Sequence, residues 1–232
     1  MTTRSIIWVS FLVCAEAKPA AMSISHTALA CPSPTVKEFL TGYKMDARVL
    51  DLCCGSGAIG ISMAKFCPNV KKVLCTDISG EALAVAKENA KAAGVEKKTE
   101  FASGDMFEAL GKRAKFDMII SNPPYIESSI IPTLQREVRE YEPMLALDGG
   151  EDGLDFYRTI IEQAPKFLDK KGILMLEIGY NQAEQISAML EETDAFAKTE
   201  IVRDYGGNNR VRPAQIDEFF GSTFLNTLNL CV

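Results

Sequence analysis

Arg48 to Asp77 reads RVLDLCCGSGAIGISMAKFCPNVKKVLCTD, and it holds a complete strand–helix–strand unit. Arg48 to Cys53 is a short apolar run of strand character, and Cys54-Gly55-Ser56-Gly57 is a tight turn. Ala58 to Phe66 follows as a helix that stops before Pro68, because a proline disfavours helical backbone in the residue before it. Lys72 to Asp77 is a second strand, ending in an acid. Two strands joined through one helix must run parallel.

The same alternation continues downstream. Ser79 is placed to cap a helix whose Leu83, Ala86, Ala90 and Ala93 share one face, and Gly94 to close it. Thr99 to Ala102 is a third strand, followed by Gly104-Asp105-Met106-Phe107. Phe116 to Tyr125 (FDMIISNPPY) is an apolar strand running into an amide, two prolines and an aromatic ring. Tyr157, Ile160, Ile161, Ala164 and Leu168 mark another amphipathic helix. Gly172 to Ile178 is a fifth strand, Gln182 to Thr193 a helix, and Lys198 to Asp204 a sixth strand. The pattern predicts one α/β domain built on a doubly wound, mostly parallel sheet.

Composition bounds the function. The chain has 232 residues, 47% hydrophobic and 24% charged, which is soluble globular composition. A net charge of -6 and a pI near 5.0 argue against a large nucleic-acid footprint. The seven cysteines form no CxxC pair, and His26 is the only histidine, so neither a disulfide framework nor a zinc site is expected. The run Ile6 to Val13 is too short to span a bilayer. Together with Ala15-Glu16-Ala17 it has the outline of a secretory signal. An ordinary N-terminal arm, or a segment foreign to the following domain, is favoured over that reading.

In such a sheet, ligands bind outside the carboxyl ends of the strands, where strand order reverses. Four successive strand ends carry chemistry. Asp51 to Gly57 (DLCCGSG) closes the first strand, and its glycines either let backbone approach a ligand ahead of a helix N-terminus or make no more than a sharp bend. Asp77 is placed to accept the hydroxyls of a ribose, or simply to serve as a helix N-terminal acid. Asp105 is placed to accept from an adenine amino group with Met106 and Phe107 over the ring, or to form a plain surface turn. Asn122-Pro123-Pro124-Tyr125 is a corner suited to gripping a planar –NH2 group, because an amide both donates and accepts and prolines add no N–H. There is no G-x-x-x-x-G-K-[ST] loop, which argues against a nucleotide triphosphate. S-adenosylmethionine is the cofactor that fits this series.

The chain resembles the class I S-adenosylmethionine-dependent methyltransferases, and within them the HemK/PrmC family of release-factor glutamine methyltransferases. Asn122 to Tyr125 is shared with amino-directed DNA methyltransferases. The discriminating stretches are Glu142-Pro143, Ala146 to Leu154 (ALDGGEDGL), Tyr157-Arg158, Glu177-Ile178-Gly179 with Gln182, and Asp204 to Val211 (DYGGNNRV). The resemblance implies that Cys53, Cys54, Gly55, Ser56 and Gly57 line the methionine part of the cofactor. It implies Asp77 at the ribose, with Asp105 and Met106 beside the adenine. Asn122 and the Pro123 carbonyl would hold the glutamine amide and Tyr125 would pack on it. Pro124 would complete the acceptor site, and Asn122 would also touch the cofactor. Asn122, Pro123 and Tyr125 are thus the expected catalytic set, with no metal.

The implied activity is methylation of the glutamine side chain in the Gly-Gly-Gln motif of peptide chain release factors, by a cytoplasmic monomer without membrane or stable nucleic-acid binding. Alternatives are a ribosomal-protein glutamine, a DNA amino group, or a cofactor-binding remnant without turnover. The family's N-terminal helical domain has no convincing counterpart in residues 1–43, the methyltransferase domain is expected over 44–211, and 212–232 is an atypical tail. Arg212-Pro213 is expected to leave the last strand incomplete, since proline cannot pair centrally. One expectation is that both ends are out of register with the ancestral gene; translating the flanking DNA in all frames tests it.

Overall fold

The computed structural model describes residues 45–199, 202–203 and 209–216. The expectations for the N-terminal arm and for the end of the tail lie outside them. The strands are β1 (Ala47–Leu52), β2 (Val70–Asp77), β3 (Thr99–Ser103), β4 (Phe116–Ser121), β5 (Leu168–Glu177), β6 (Phe196–Thr199), β7 (Val202–Arg203) and β8 (Asn209–Ile216). The helices are α1 (Ala58–Phe66), α2 (Gly80–Ala93), α3 (Arg136–Tyr141), α4 (Met144–Leu147), α5 (Asp155–Phe167) and α6 (Ala183–Glu192). The sheet order is β3-β2-β1-β4-β5-β8-β6, with β7 also paired to β8. β1 to β5 are mutually parallel, and β8 runs antiparallel to β5 and β6. Strand order reverses between β1 and β4.

Both faces of the sheet are covered, and the period of two along each strand assigns residues to a face. Val49, Met118, Ile120, Ile173 and Met175 pack with Ile61 and Met63 of α1 and Ala90 of α2. Leu50, Leu52, Ile119, Leu174 and Leu176 pack on the other face with Tyr157 and Ile160 of α5 and Ile186 and Leu190 of α6. All six residues of β4 are buried, the apolar Phe116, Met118, Ile119 and Ile120 together with Asp117 and Ser121. The Ser79 side chain accepts from the Ala82 N–H at 3.1 Å, and Gly94 ends α2 in the left-handed conformation, as expected. Among the described residues no helix is long and apolar enough to cross a membrane.

Of the expected sixth strand, β6 and β7 are described, and both pair with β8. One expectation is corrected. The last strand is continuous through Arg212-Pro213 and pairs with β5 with Pro213 opposite Met175. A proline withdraws one N–H from the ladder but keeps its carbonyl, so the flanking pairs, Leu174 with Ala214 and Leu176 with Arg212, carry the strand through it.

Candidate active site

One row of strand register runs through Ala102, Thr76, Leu52, Ser121 and Leu176. The next residue on each strand is therefore Ser103, Asp77, Cys53, Asn122 and Glu177. Neighbouring strands lie about 4.8 Å apart, so this edge gathers most of the residues predicted from sequence. Cys53 and Asn122 flank the reversal point.

The glycine turn is shaped by backbone conformation and by one carboxylate. Cys53 and Gly55 have positive φ (57° and 54°), and Gly57, also left-handed at 78°, leads into α1. Asp77 Oδ2 accepts from the Gly55 N–H at 2.8 Å, and Oδ1 accepts from the Ser79 N–H at 2.9 Å. A carboxylate oxygen has two lone pairs, so Asp77 clamps the turn and keeps acceptor capacity towards the cleft. The Asn89 amide of α2 donates to the Ser56 carbonyl at 3.0 Å, bracing the turn from behind. The Cys53 thiol lies 3.6 Å from the Met106 sulfur, which brings the loop after β3 onto the turn. Burial, then the Asp77 charge, pushes the Cys53 thiol up to about 12, with Asp51 and Asp105 adding to the effect. Hydrogen bonding with Cys75 and burial raise the Cys54 thiol far above its ordinary range. Both are neutral thiols that pack. A cavity of about 220 Å³ opens beside Asp105 and Met106, between them and Asp155, Phe156 and Thr159 of α5.

Two residues beside the expected site were given no role from sequence. Asp51, in β1, is 1% exposed; its Oδ2 accepts from the Gly60 N–H at 2.7 Å, while Oδ1 has no hydrogen-bond partner. Burial, opposed by the Gly60 bond and helped by Asp77, pushes its carboxyl up to about 7. The sequence signal was an acid inside an apolar strand run, where an unpaired charge is costly. Ile78, directly after Asp77, is 50% exposed; an apolar residue leading into a helix cap was its only mark.

At the other side of the reversal, Ser121 Oγ donates to the Leu52 carbonyl at 2.7 Å and ties the ends of β4 and β1 together. Asn122 is half-buried, and among the described residues nothing takes up its side-chain amide. Pro123 and Pro124 are buried and Tyr125 is half-buried. The chain after the corner is held by the loop from Leu147 to Gly153. The Ile126 N–H donates to the Leu147 carbonyl at 3.0 Å and the Gly149 N–H to the Ile126 carbonyl at 2.8 Å. Asp148 accepts from Ser128 Oγ at 2.6 Å, which holds its carboxyl below the usual range. The ALDGGEDGL stretch thus packs directly against the corner.

Comparisons with known proteins agree with this geometry. Residues 35–141 match the family described as Methyltransferase small domain. A release factor glutamine methyltransferase of Bacillus cereus is 42% identical over 196 residues, covering 80% of this chain and 68% of that protein.

The chain belongs to the release factor glutamine methyltransferase family.

A second member, from Clostridium acetobutylicum, is 43% identical over 173 residues, covering 74% of this chain and 59% of its own length. The chain spans 59–60% of this and two other family members it matches. Among solved structures, a methyltransferase from Pyrococcus furiosus has a TM-score of 0.57 at 18% identity, covering 77% of this chain and 78% of that one. A Thermus thermophilus 16S rRNA guanine methyltransferase in complex with AdoMet and guanosine has a TM-score of 0.54 at 19% identity, covering 78% and 41%. These two establish the fold.

Proposed function

We propose that this chain methylates the side-chain amide nitrogen of the glutamine in the Gly-Gly-Gln motif of peptide chain release factors, in the cytoplasm and as a monomer. The carrying observation is the unengaged Asn122 amide at the carboxyl end of a fully buried strand, one strand from the Cys53 turn. The family members are release factor glutamine methyltransferases, which suggests the acceptor class. We assign the catalytic unit to the segment from residue 44 to the end of β8.

The residues present suit S-adenosylmethionine. Asp51 offers a buried oxygen without a partner, Asp77 a fixed carboxylate with spare acceptors, and Ile78 an exposed apolar side chain beside it. Cys53, Cys54, Gly55, Ser56 and Gly57 would hold its methionine part, Asp77 its ribose, and Asp105 and Met106 its adenine. When bound, it supplies an electrophilic methyl group on a sulfonium.

The chain's own residues do the rest. An amide nitrogen is a weak nucleophile because its lone pair is delocalised into the carbonyl. Asn122 Oδ1 and the Pro123 carbonyl accept its two N–H groups, raising electron density on nitrogen and turning it to the reaction line. Tyr125 covers the amide plane, and Pro123 and Pro124 keep competing donors away. Catalysis is then mostly positioning and exclusion of water.

Labelled S-adenosylmethionine offered with release factor, ribosomal protein or DNA tests the reading. Label on the release-factor glutamine with the wild type, at a rate at least about 10²-fold lower with Asn122→Ala, is expected. Label on ribosomal protein or DNA instead would move the acceptor class. Unchanged transfer by Asn122→Ala would sink the corner mechanism, and cofactor binding without transfer to any acceptor would mark a remnant.

A further inference from the structure

Gln182 precedes α6 and lies outside the expected catalytic set, yet its side chain ties three segments together. It is 4% exposed. Its Oε1 accepts from the Gly179 N–H at 2.9 Å, just past the end of β5. Its Nε2 donates to the Tyr125 carbonyl at 3.0 Å and to the Gly153 carbonyl at 3.2 Å. Both donors of the amide are used, one on the acceptor corner and one on the loop that packs against it.

Two glycines leave the room this amide occupies. A Cβ on Gly153, whose φ is +73°, would lie 2.5 Å from the Tyr125 carbonyl oxygen and 2.7 Å from Gln182 Nε2. One on Gly179 would lie 2.6 Å from Gln182 Oε1. The corner needs an outside anchor, because Pro123 and Pro124 have no N–H with which to fasten it to the sheet. The Tyr125 carbonyl ends that segment, and Gln182 holds it. The Tyr157 hydroxyl, donating to the Glu177 carbonyl at 2.7 Å, steadies the end of β5 from which Gln182 reaches.

We infer that Gln182 is a positioning residue for the methyl acceptor: through the Tyr125 carbonyl it sets the placement of Asn122-Pro123-Pro124-Tyr125 relative to the glycine turn. This rests on the proposed function. Gln182 touches neither reactant, so its effect is on turnover, because a displacement of about 1 Å costs roughly 10²-fold in rate.

The test uses the full chain with Gln182→Met, which keeps length and apolar bulk and removes both donors. Four quantities are measured: S-adenosylmethionine Kd, kcat and KM for release factor, and amide hydrogen exchange without substrate. The expected result is kcat lower by about 10–100-fold, with Kd and KM within about threefold. Exchange at the Ile126 and Gly149 amides rises about tenfold, while the Cys54 and Gly55 amides keep their rates. A kcat within about twofold of wild type overturns the inference. So does exchange that rises equally at both places, which is general destabilisation. If Gln182→Met does not fold, Gln182→Glu, which keeps an acceptor for Gly179, is measured the same way and judged by the same outcomes. A wild type that transfers nothing refutes the proposed activity alone; the exchange pattern then decides whether Gln182 holds the corner.

Discussion

The glycine turn and the acceptor corner stand one strand apart, yet they are held in different ways. The turn is fastened from close range. Asp77 grips Gly55 and Ser79 on backbone N–H groups, and Asn89 grips Ser56, all within the first two strand–helix units. The corner is fastened from far along the chain, by the loop from Leu147 to Gly153 and by Gln182, 57 positions beyond Tyr125. A site for a cofactor can be built from one βαβ unit, whereas a corner meeting a variable acceptor is placed by whatever packs behind it.

That contrast can be broken by experiment. The largest expected effect is Asn122→Ala, with kcat/KM for release factor lower by about 10²–10³ and S-adenosylmethionine Kd within a few-fold. Cofactor affinity falling as far as turnover would show that the two regions are one functional unit. Next is Asp51. Burial raises its carboxyl to about 7 when folded, from an ordinary value of 3.8. A raised acid binds more protons in the native state, so its stabilising effect is whole below the unfolded value and is lost as pH rises through the folded one. Ligand-free protein should therefore lose on the order of 2–4 kcal/mol between about pH 4 and pH 7. Asp51→Asn should flatten that slope in chemical denaturation measured across pH. An unchanged slope would place the titrating group elsewhere.

Smaller effects sharpen the contrast. Asp77→Ala leaves the Gly55 and Ser79 N–H groups without their acceptor. It should cost about 1–3 kcal/mol of stability and weaken S-adenosylmethionine binding tenfold or more by calorimetry. The exchange of Ile126 and Gly149 amides should stay unchanged; faster exchange there would mean that the clamp extends across the reversal point. The smallest is Ser79→Ala, which removes the cap bond to Ala82 and should lower stability by about 1 kcal/mol in a thermal or denaturant titration.

Legibility from sequence follows the same divide. β1, α1, β2 and α2 were readable because their signals are local: an apolar run, left-handed glycines, a proline after the helix, Ser79 before the next one. Asp77, Asp105, Met106 and Asn122 were readable because each ends a strand. β8 continues through Pro213 against the local expectation, because the β5 pairs that hold it lie far along the chain. Asp51 and Gln182 were passed over as site residues for a related reason. Their side chains are ordinary polar groups until burial removes water and leaves only a few partners within reach.

By itself the sequence determined the alternation of strands and helices, the two faces of the sheet through its period of two, and the residues standing at the strand ends. Those depend on neighbours within a few positions, where sterics and hydrogen-bond geometry leave little choice. Only the tertiary structure decided that Asp51 keeps a buried oxygen without a partner, that β8 pairs with β5 through Pro213, and that Gln182 holds Tyr125. Each of these is a contact between residues far apart in the chain, and burial, not local propensity, selects it.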